Sequence, residues 1–383
     1  MRILAMTFEK PNYRYGGGLG IIQSLTSLTS FADVDYVGPE YNPSEFPNIK
    51  VKNYYFLNRS KNVFTCFIHL LRAVPTRFYT SWKKTVSKID ASKYDAVFLD
   101  FSNQDFVAKW AVKHNLKIIT RVHNIEIDMT NSTKKAKQFD KYKFRAYLSS
   151  PMLKRRERNC MKISSKLLFL TSKDKARGIE LYGKEIESKS MIVPVCIDRS
   201  GRKKYDNPLN YDKYILITGL LSYGANSEGI IWFLKNVWAN LQKDNDFDKE
   251  YKLVVAGGNP NDEIISLCNN INNVELINTP DTMVPYFEHA SLYVAPIFRG
   301  AGMKVKVAEA FSYGLNVIGT EHALIGYDES KKFSYEANDE ESFKKYIKEL
   351  IVKKTNKEEC VEMFDNTYSI EKSAKLVKEA VEK

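Results

Sequence analysis

Between Arg299 and Asp328 the chain reads RGAGMKVKVAEAFSYGLNVIGTEHALIGYD. Gly300 and Gly302 let the backbone approach a ligand closely. Lys304 and Lys306 set two ammonium groups at the start of a helix pattern, where free N–H groups also favour an anion. Glu309 follows about two turns in, and its carboxylate can accept hydrogen bonds from paired hydroxyls. An anion site beside a hydroxyl acceptor suits a sugar joined to a phosphate.

Three further groups have residue types that could meet such a ligand. In TRVHNIEID, 120–128, His123 directly follows a strand pattern, at the end of a strand where α/β sheets place ligands. A lone histidine is more often a satisfied structural group, so Arg121, Asn124 and Glu126 around it matter. In YRYGGGLG, 13–20, Gly16, Gly17 and Gly18 join a strand pattern to a helix pattern, and a nest of N–H groups there can hold phosphate or admit a sugar. This loop is neither a Walker loop nor a clean dinucleotide fingerprint, because Ile21 stands where the last glycine would be. In GLLSYGANSEG, 219–229, Gly219, Tyr223 and Asn226 lie at the end of another strand pattern.

The elements that must position these groups alternate. Strand patterns fall at 2–8, 34–38, 51–57, 94–100, 116–122, 166–171 and 190–195, then at 214–219, 251–257, 274–277, 291–296 and 316–320. Helix patterns separate them, among them 64–74, 82–89, 106–114, 172–182, 228–242, 262–269, 282–289 and 305–313, and 358–383 reads as helical throughout. Strands separated by helices imply parallel βαβ units. The polar stretch 197–214 reads as a linker between two halves. Trp232, Phe233, Val237 and Trp238 read as core.

Length and composition agree with two α/β domains. The chain has 383 residues, 44% hydrophobic and 27% charged. No apolar run is long enough to span a membrane, and the start, MRILAMTFEKPNY, reads as a first strand rather than a cleaved signal. The five cysteines are far apart and odd in number, which fits reduced thiols in a cytoplasmic protein. No D-x-D stands at a strand end, and no metal is expected. The net charge of +12 is uneven: residues 1–197 hold 34 Lys and Arg against 17 Asp and Glu. The densest basic stretch, 134–158, interleaves aromatics and could sit on an anionic membrane surface. Nucleic acid favours the same charge but is not expected as a partner.

GAGMKVKVAEAFSYGLNVIGT is similar to the nucleotide-binding segment of glycosyltransferase family 4, whose pattern is matched by Gly300, Gly302, Met303, Lys304, Lys306, Glu309, Ala310, Gly314, Val317 and Ile318. Arg121, His123, Asn124 and Glu126 match an R-x-H-N-x-E pattern in one branch of that family. The resemblance implies a GT-B fold, two Rossmann-like βαβ domains facing a cleft. Residues 1–197 would hold the acceptor and 198–365 the nucleotide sugar, with a helix at 366–383 returning to the first domain.

The implied activity is metal-independent, retaining transfer of a sugar from a nucleoside diphosphate sugar to a glycan, lipid-linked or protein-linked acceptor. By resemblance His123, Gly17, Lys304 and Lys306 would serve catalysis. Gly219, Tyr223, Asn226, Thr279, Pro280, Gly300, Gly302, Met303, Lys304, Val305 and Lys306 would hold the donor, with Glu309 on the ribose. Gly16, Gly17 and Gly18, with Arg121, Asn124 and Glu126, would border the acceptor or diphosphate. The implied location is cytoplasmic, with attachment to the inner membrane face an open option. Two departures stand out. The 219–229 loop lacks the arginine and lysine many members place there, and Ala301 replaces a second glutamate. They leave a non-catalytic GT-B subunit as one alternative, and a sugar-nucleotide epimerase is another.

Overall fold

The computed structural model describes residues 1–13, 16–134, 141–222, 224–300, 302–353 and 356–383. The chain divides into two compact units: Met1–Val195 with Ile370–Lys383, and Cys196–Ser369.

Unit 1 contains the strands β1 (Arg2–Met6), β2 (Asp33–Pro39), β3 (Asn53–Leu57), β4 (Ala96–Asp100), β5 (Lys117–Val122), β6 (Lys166–Phe169) and β7 (Ser190–Ile192). They form one parallel sheet in the order β3-β2-β1-β4-β5-β6-β7. Its helices are α1 (Gly16–Thr29), α2 (Val63–Leu71), α3 (Tyr79–Val86), α4 (Asp105–Lys113), α5 (Glu126–Lys134), α6 (Lys141–Ile163) and α7 (Ser172–Tyr182). Alternate strand residues serve opposite faces. Ile3, Ala5 and Phe98 pack with Ile21 and Leu25 of α1, while Leu4, Met6, Val97 and Leu99 pack with Trp82 of α3 and Val107 of α4. Burial on both faces explains why these strands read as continuous apolar runs.

Unit 2 repeats the plan with β8 (Tyr214–Leu220), β9 (Lys252–Gly258), β10 (Val274–Asn278), β11 (Leu292–Ala295), β12 (Val317–Gly319) and β13 (Ser334–Glu336), ordered β10-β9-β8-β11-β12-β13. Its helices are α8 (Gly224–Trp232), α9 (Ala239–Leu241), α10 (Asp262–Asn270), α11 (Val284–His289), α12 (Val305–Phe311), α13 (Glu340–Val352) and α14 (Lys357–Thr367). The last helix, α15 (Ile370–Glu382), belongs to unit 1. In each sheet the order reverses beside the first strand, at β1/β4 and at β8/β11. Such a switch point leaves a crevice at the carboxyl ends of the strands.

Three sequence expectations need correction. The glycines do not form a loop before a helix: Gly16 to Gly20 are already the first turns of α1. The helix expected over 228–242 starts at Gly224 and widens into a π-helical turn at Phe233–Trp238 before α9. There Asn236 Nδ2 donates to the Trp232 carbonyl at 2.9 Å and Asn240 Nδ2 to the Asn236 carbonyl at 2.7 Å. These side-chain bonds compete with the backbone ladder, and the wide turn buries Phe233, Leu234, Val237 and Trp238 together. Finally, 358–383 is not one helix. It breaks between α14 and α15, where Ile197 N–H donates to the Tyr368 carbonyl at 2.9 Å and Ile197 bridges Ser369.

Candidate active site

In unit 2 the chain leaves β11 at Pro296 and turns through Gly300, at φ +114°, and Gly302, at φ +66°, into α12. Those angles suit glycine and few other residues. Ala301 between them lies outside the described residues. Tyr327 pins the first turn: its hydroxyl donates to the Lys304 carbonyl at 2.9 Å and accepts from Ala308 N–H at 3.1 Å. Met303 is buried, and Val305 is half-buried at the helix start. Because α12 has only seven residues, its dipole is a modest source of positive potential, and the lysines carry more of it.

Lys306 reaches across to the end of β8. Its ammonium donates to the Thr218 carbonyl and to Asn226 Oδ1, both at 2.9 Å. Gly219 makes this seat, since a Cβ there would lie 2.7 Å from Lys306 Nζ and 2.9 Å from Asn226 Nδ2. Asn226, on the first turns of α8, is held by Nδ2 donating to the Leu220 carbonyl at 3.0 Å. Burial lowers the Lys306 pKa to about 7, with neighbouring Lys304 adding to the fall and Glu309 opposing it. Lys304 turns its own Nζ to the Gly302 carbonyl at 2.7 Å.

Glu309 lies on the same helix. Burial raises its carboxyl to about 7, against the pull of Arg202 and Lys306. No hydrogen bond to this carboxylate is made by any described residue, so its oxygens are open to a ligand. Arg202, which no motif marks, stacks 4.1 Å from the Tyr313 ring and donates to Ser312 Oγ at 2.9 Å. Gly219, Asn226, Lys304, Lys306 and Glu309 thus come together around one strand end. Thr279 and Pro280 follow β10, two strands across from β8. Thr279 reaches the neighbouring strand end: its N–H donates to the Gly257 carbonyl at 2.8 Å, and its Oγ1 lies beside Gly258, as Leu220 does. Thr279 is exposed and sits at φ +52°, an outlying backbone angle for a β-branched residue. Tyr223 lies outside the described residues.

In unit 1 the predicted residues divide. Arg121 is fully buried, its guanidinium donating to Ser24 Oγ at 3.2 Å and to the Pro194 carbonyl at 3.3 Å. It therefore supports the site from within the core. His123 is buried at the carboxyl end of β5, with Nε2 2.9 Å from Asp100 Oδ1. Asn124 follows at the same sheet edge, half-buried. Gly16 is exposed and Gly17 half-buried, while Gly18 is buried where a Cβ would collide with the Asn12 side chain at 2.2 Å.

Glu126 begins α5, and its carboxyl is pushed up to about 8 by burial, with Glu157 and Glu9 adding to the effect. Glu157, from the basic stretch, is buried. It accepts from Ser102 Oγ at 2.7 Å, Tyr182 Oη at 2.6 Å and the N–H groups of Glu126 at 2.7 Å and Ile127 at 3.1 Å. It caps α5 and so holds the segment carrying Asn124 and Glu126.

Asp100, Glu157 and Gly20 were not singled out in the sequence. Asp100 had a signal, an acidic residue closing a buried strand pattern. Gly20 closes the glycine motif 13–20, and Glu157 had no signal that a single chain could show. No cluster of three or more His, Cys, Asp or Glu suited to a metal ion occurs among the described residues.

Comparison with known proteins fits this architecture. Residues 212–353 match the family model described as Glycosyl transferases group 1. An uncharacterized 44.6 kDa protein in the cps region of Klebsiella pneumoniae is 25% identical over 359 residues, covering 87% of this chain and 86% of that protein. A glycosyltransferase structure from Rickettsia africae has a TM-score of 0.67 at 15% identity, over 100% of this chain and 97% of its own. HepE of Anabaena, solved with UDP, has a TM-score of 0.69 at 13% identity, over 100% of both chains. HepE has also been solved with UDP-glucose. The structural likeness establishes the GT-B fold. The family match lies within unit 2.

Proposed function

We propose that this chain is a retaining glycosyltransferase of family 4 type that takes a sugar from a nucleoside diphosphate sugar. The observation that carries the reading is the Lys306 ammonium seated at the end of β8, with the open Glu309 carboxylate on the same helix. Lys306 and Lys304 would meet the diphosphate and Glu309 the ribose hydroxyls. The base would lie near residues 277–280. Charge that develops on the leaving phosphate would be stabilised by these lysines without a metal ion. His123, Asn124 and Glu126 of unit 1 would serve the transferred sugar and its acceptor. Binding of UDP and UDP-glucose by HepE supports a nucleotide-sugar donor.

The test is thermal unfolding with UDP, GDP and their sugar derivatives. A ligand at 100 times its Kd adds about 2.7 kcal/mol to the folded state, enough to raise Tm by several degrees. A flat response to every nucleotide would exclude the reading.

For the acceptor we favour a lipid-linked glycan at an anionic membrane surface, which would place the protein on the inner face. No described helix is long and apolar enough to cross a membrane. Lys154, Arg155 and Arg158 of α6 are exposed, as are Phe144 and Tyr147. Residues 135–140 of the basic stretch lie outside the described residues. The structure adds α2, which packs on α6 and exposes Val63 (81%), Phe64 (72%), Phe67 and Leu71 between Arg59, Lys61 and Arg72. Apolar side chains rimmed by basic ones suit an anionic interface. Phe64→Glu with Phe67→Glu is expected to cut flotation with phosphatidylglycerol vesicles at least tenfold. Equal recovery of wild type with neutral vesicles, or of the double variant with anionic ones, would count against docking.

A further inference from the structure

The hydrogen bonds behind His123 run in one direction. Arg121 can only donate, and its Nη1 lies 3.2 Å from Ser24 Oγ. The Ser24 proton is then directed to Asp100 Oδ1, 2.7 Å away. The same oxygen lies 2.9 Å from His123 Nε2. An ionised carboxylate offers only lone pairs, so this contact requires a proton on Nε2. A neutral imidazole with Nε2–H has a bare Nδ1. Burial lowers the His123 pKa, outweighing the opposite pull of Asp100, and so favours the neutral ring.

The ring is fixed on its other sides as well. Phe101 packs on it with centroids 4.5 Å apart, from a backbone at φ +78°. That angle is costly for an aromatic residue and is a conformation that clusters at functional sites. Phe101 N–H is held by the Arg121 carbonyl at 2.9 Å. The Nδ1–Cε1 edge lies against α1 at Gly20, where a Cβ would come within 2.7 Å of Nδ1 and 2.4 Å of Cε1. No described residue hydrogen-bonds Nδ1.

We propose that Asp100 is a positioning residue that holds His123 as the Nε2–H tautomer, leaving Nδ1 to accept a hydrogen bond from a hydroxyl of the transferred sugar. The inference rests on the reading of the chain as a glycosyltransferase. It gives His123 the part of an acceptor rather than a donor, and it gives Arg121 and Ser24 the task of directing protons onto Asp100.

The test combines a spectroscopic reading with turnover. In ligand-free protein labelled with ¹⁵N-histidine, two-bond proton–nitrogen spectra should show Nε2 protonated and Nδ1 bare. Asp100→Ala should mix the tautomers and lower kcat for UDP-glucose roughly 10–100-fold with UDP affinity unchanged. Asp100→Asn keeps an acceptor oxygen. It should preserve the tautomer and restore most of that turnover, which also keeps the test open should Asp100→Ala fold poorly. A protonated Nδ1 in wild type, or an Asp100→Asn variant as slow as a folded Asp100→Ala, overturns the inference alone. Absence of turnover with any UDP or GDP sugar overturns the proposed function and with it the sugar as partner of Nδ1.

Discussion

Lys306→Ala is expected to lower sugar transfer about 10²–10³-fold, the usual cost of removing a preorganised group that meets charge developing in a transition state. The side chain is built for that task. Thr218 and Asn226 hold its ammonium, Gly219 leaves it room, and burial lowers its pKa to about 7. A bound diphosphate favours the protonated form, so binding takes up a proton above pH 7. Donor affinity should therefore fall as pH rises beyond about 7, by up to about tenfold per unit. That alkaline limb should vanish in Lys306→Ala. Lys304→Ala should cost less, because Lys304 turns toward its own loop carbonyl at Gly302. Steady-state kinetics and calorimetry across pH check both statements, and wild-type turnover in Lys306→Ala would remove the assigned role.

Glu309→Ala is expected to weaken UDP binding roughly 100-fold, or about 3 kcal/mol, the scale of hydroxyl hydrogen bonds to a charged acceptor. The fold should survive, since no described residue depends on this carboxylate for a hydrogen bond. Its pKa, raised to about 7 by burial, sets the opposite limb. Ribose hydroxyls favour the ionised form, so binding releases a proton below pH 7 and affinity falls as pH falls. The two limbs together give an affinity maximum near neutrality. Glu309→Gln should lose the acid limb while keeping one acceptor oxygen. Calorimetry showing unchanged UDP affinity in a folded Glu309→Ala would refute the assignment.

What the sequence revealed, and what it hid, follows from the range of the interactions. Lys304, Lys306 and Glu309 lie within one short segment, so spacing alone exposes them. The strands are legible because both sheet faces are buried, which leaves unbroken apolar runs such as YILI at 214–217. The His123 support was not legible, because Ser24, Asp100 and Arg121 are joined by sheet order and not by spacing. The start of α1 is hidden in the sequence because glycines weaken helices by about 1 kcal/mol each. Here Gly18 and Gly20 are held in the helix by close contacts with Asn12 and His123 that a side chain would block. The short polar strand β13 carries no apolar alternation, and it exists because β12 offers it a parallel edge.

The position of α15 bears on the order in which the protein can be built. Its Val377, Ala380 and Val381 complete the core that includes Ile3, Ala5, Ile21 and Phe98, and Lys117 Nζ ties onto the Val381 carbonyl at 2.6 Å. Residues 1–195 leave the ribosome first, yet this core stays open until all of Cys196–Ser369 has been translated. At 5–20 residues per second that wait is roughly 10–35 s. Unit 2, continuous in sequence, can fold during that interval. The nucleotide-facing half is thus free to mature first, while the half carrying His123 waits with part of its apolar interior uncovered, the interval in which a nascent chain most needs a chaperone.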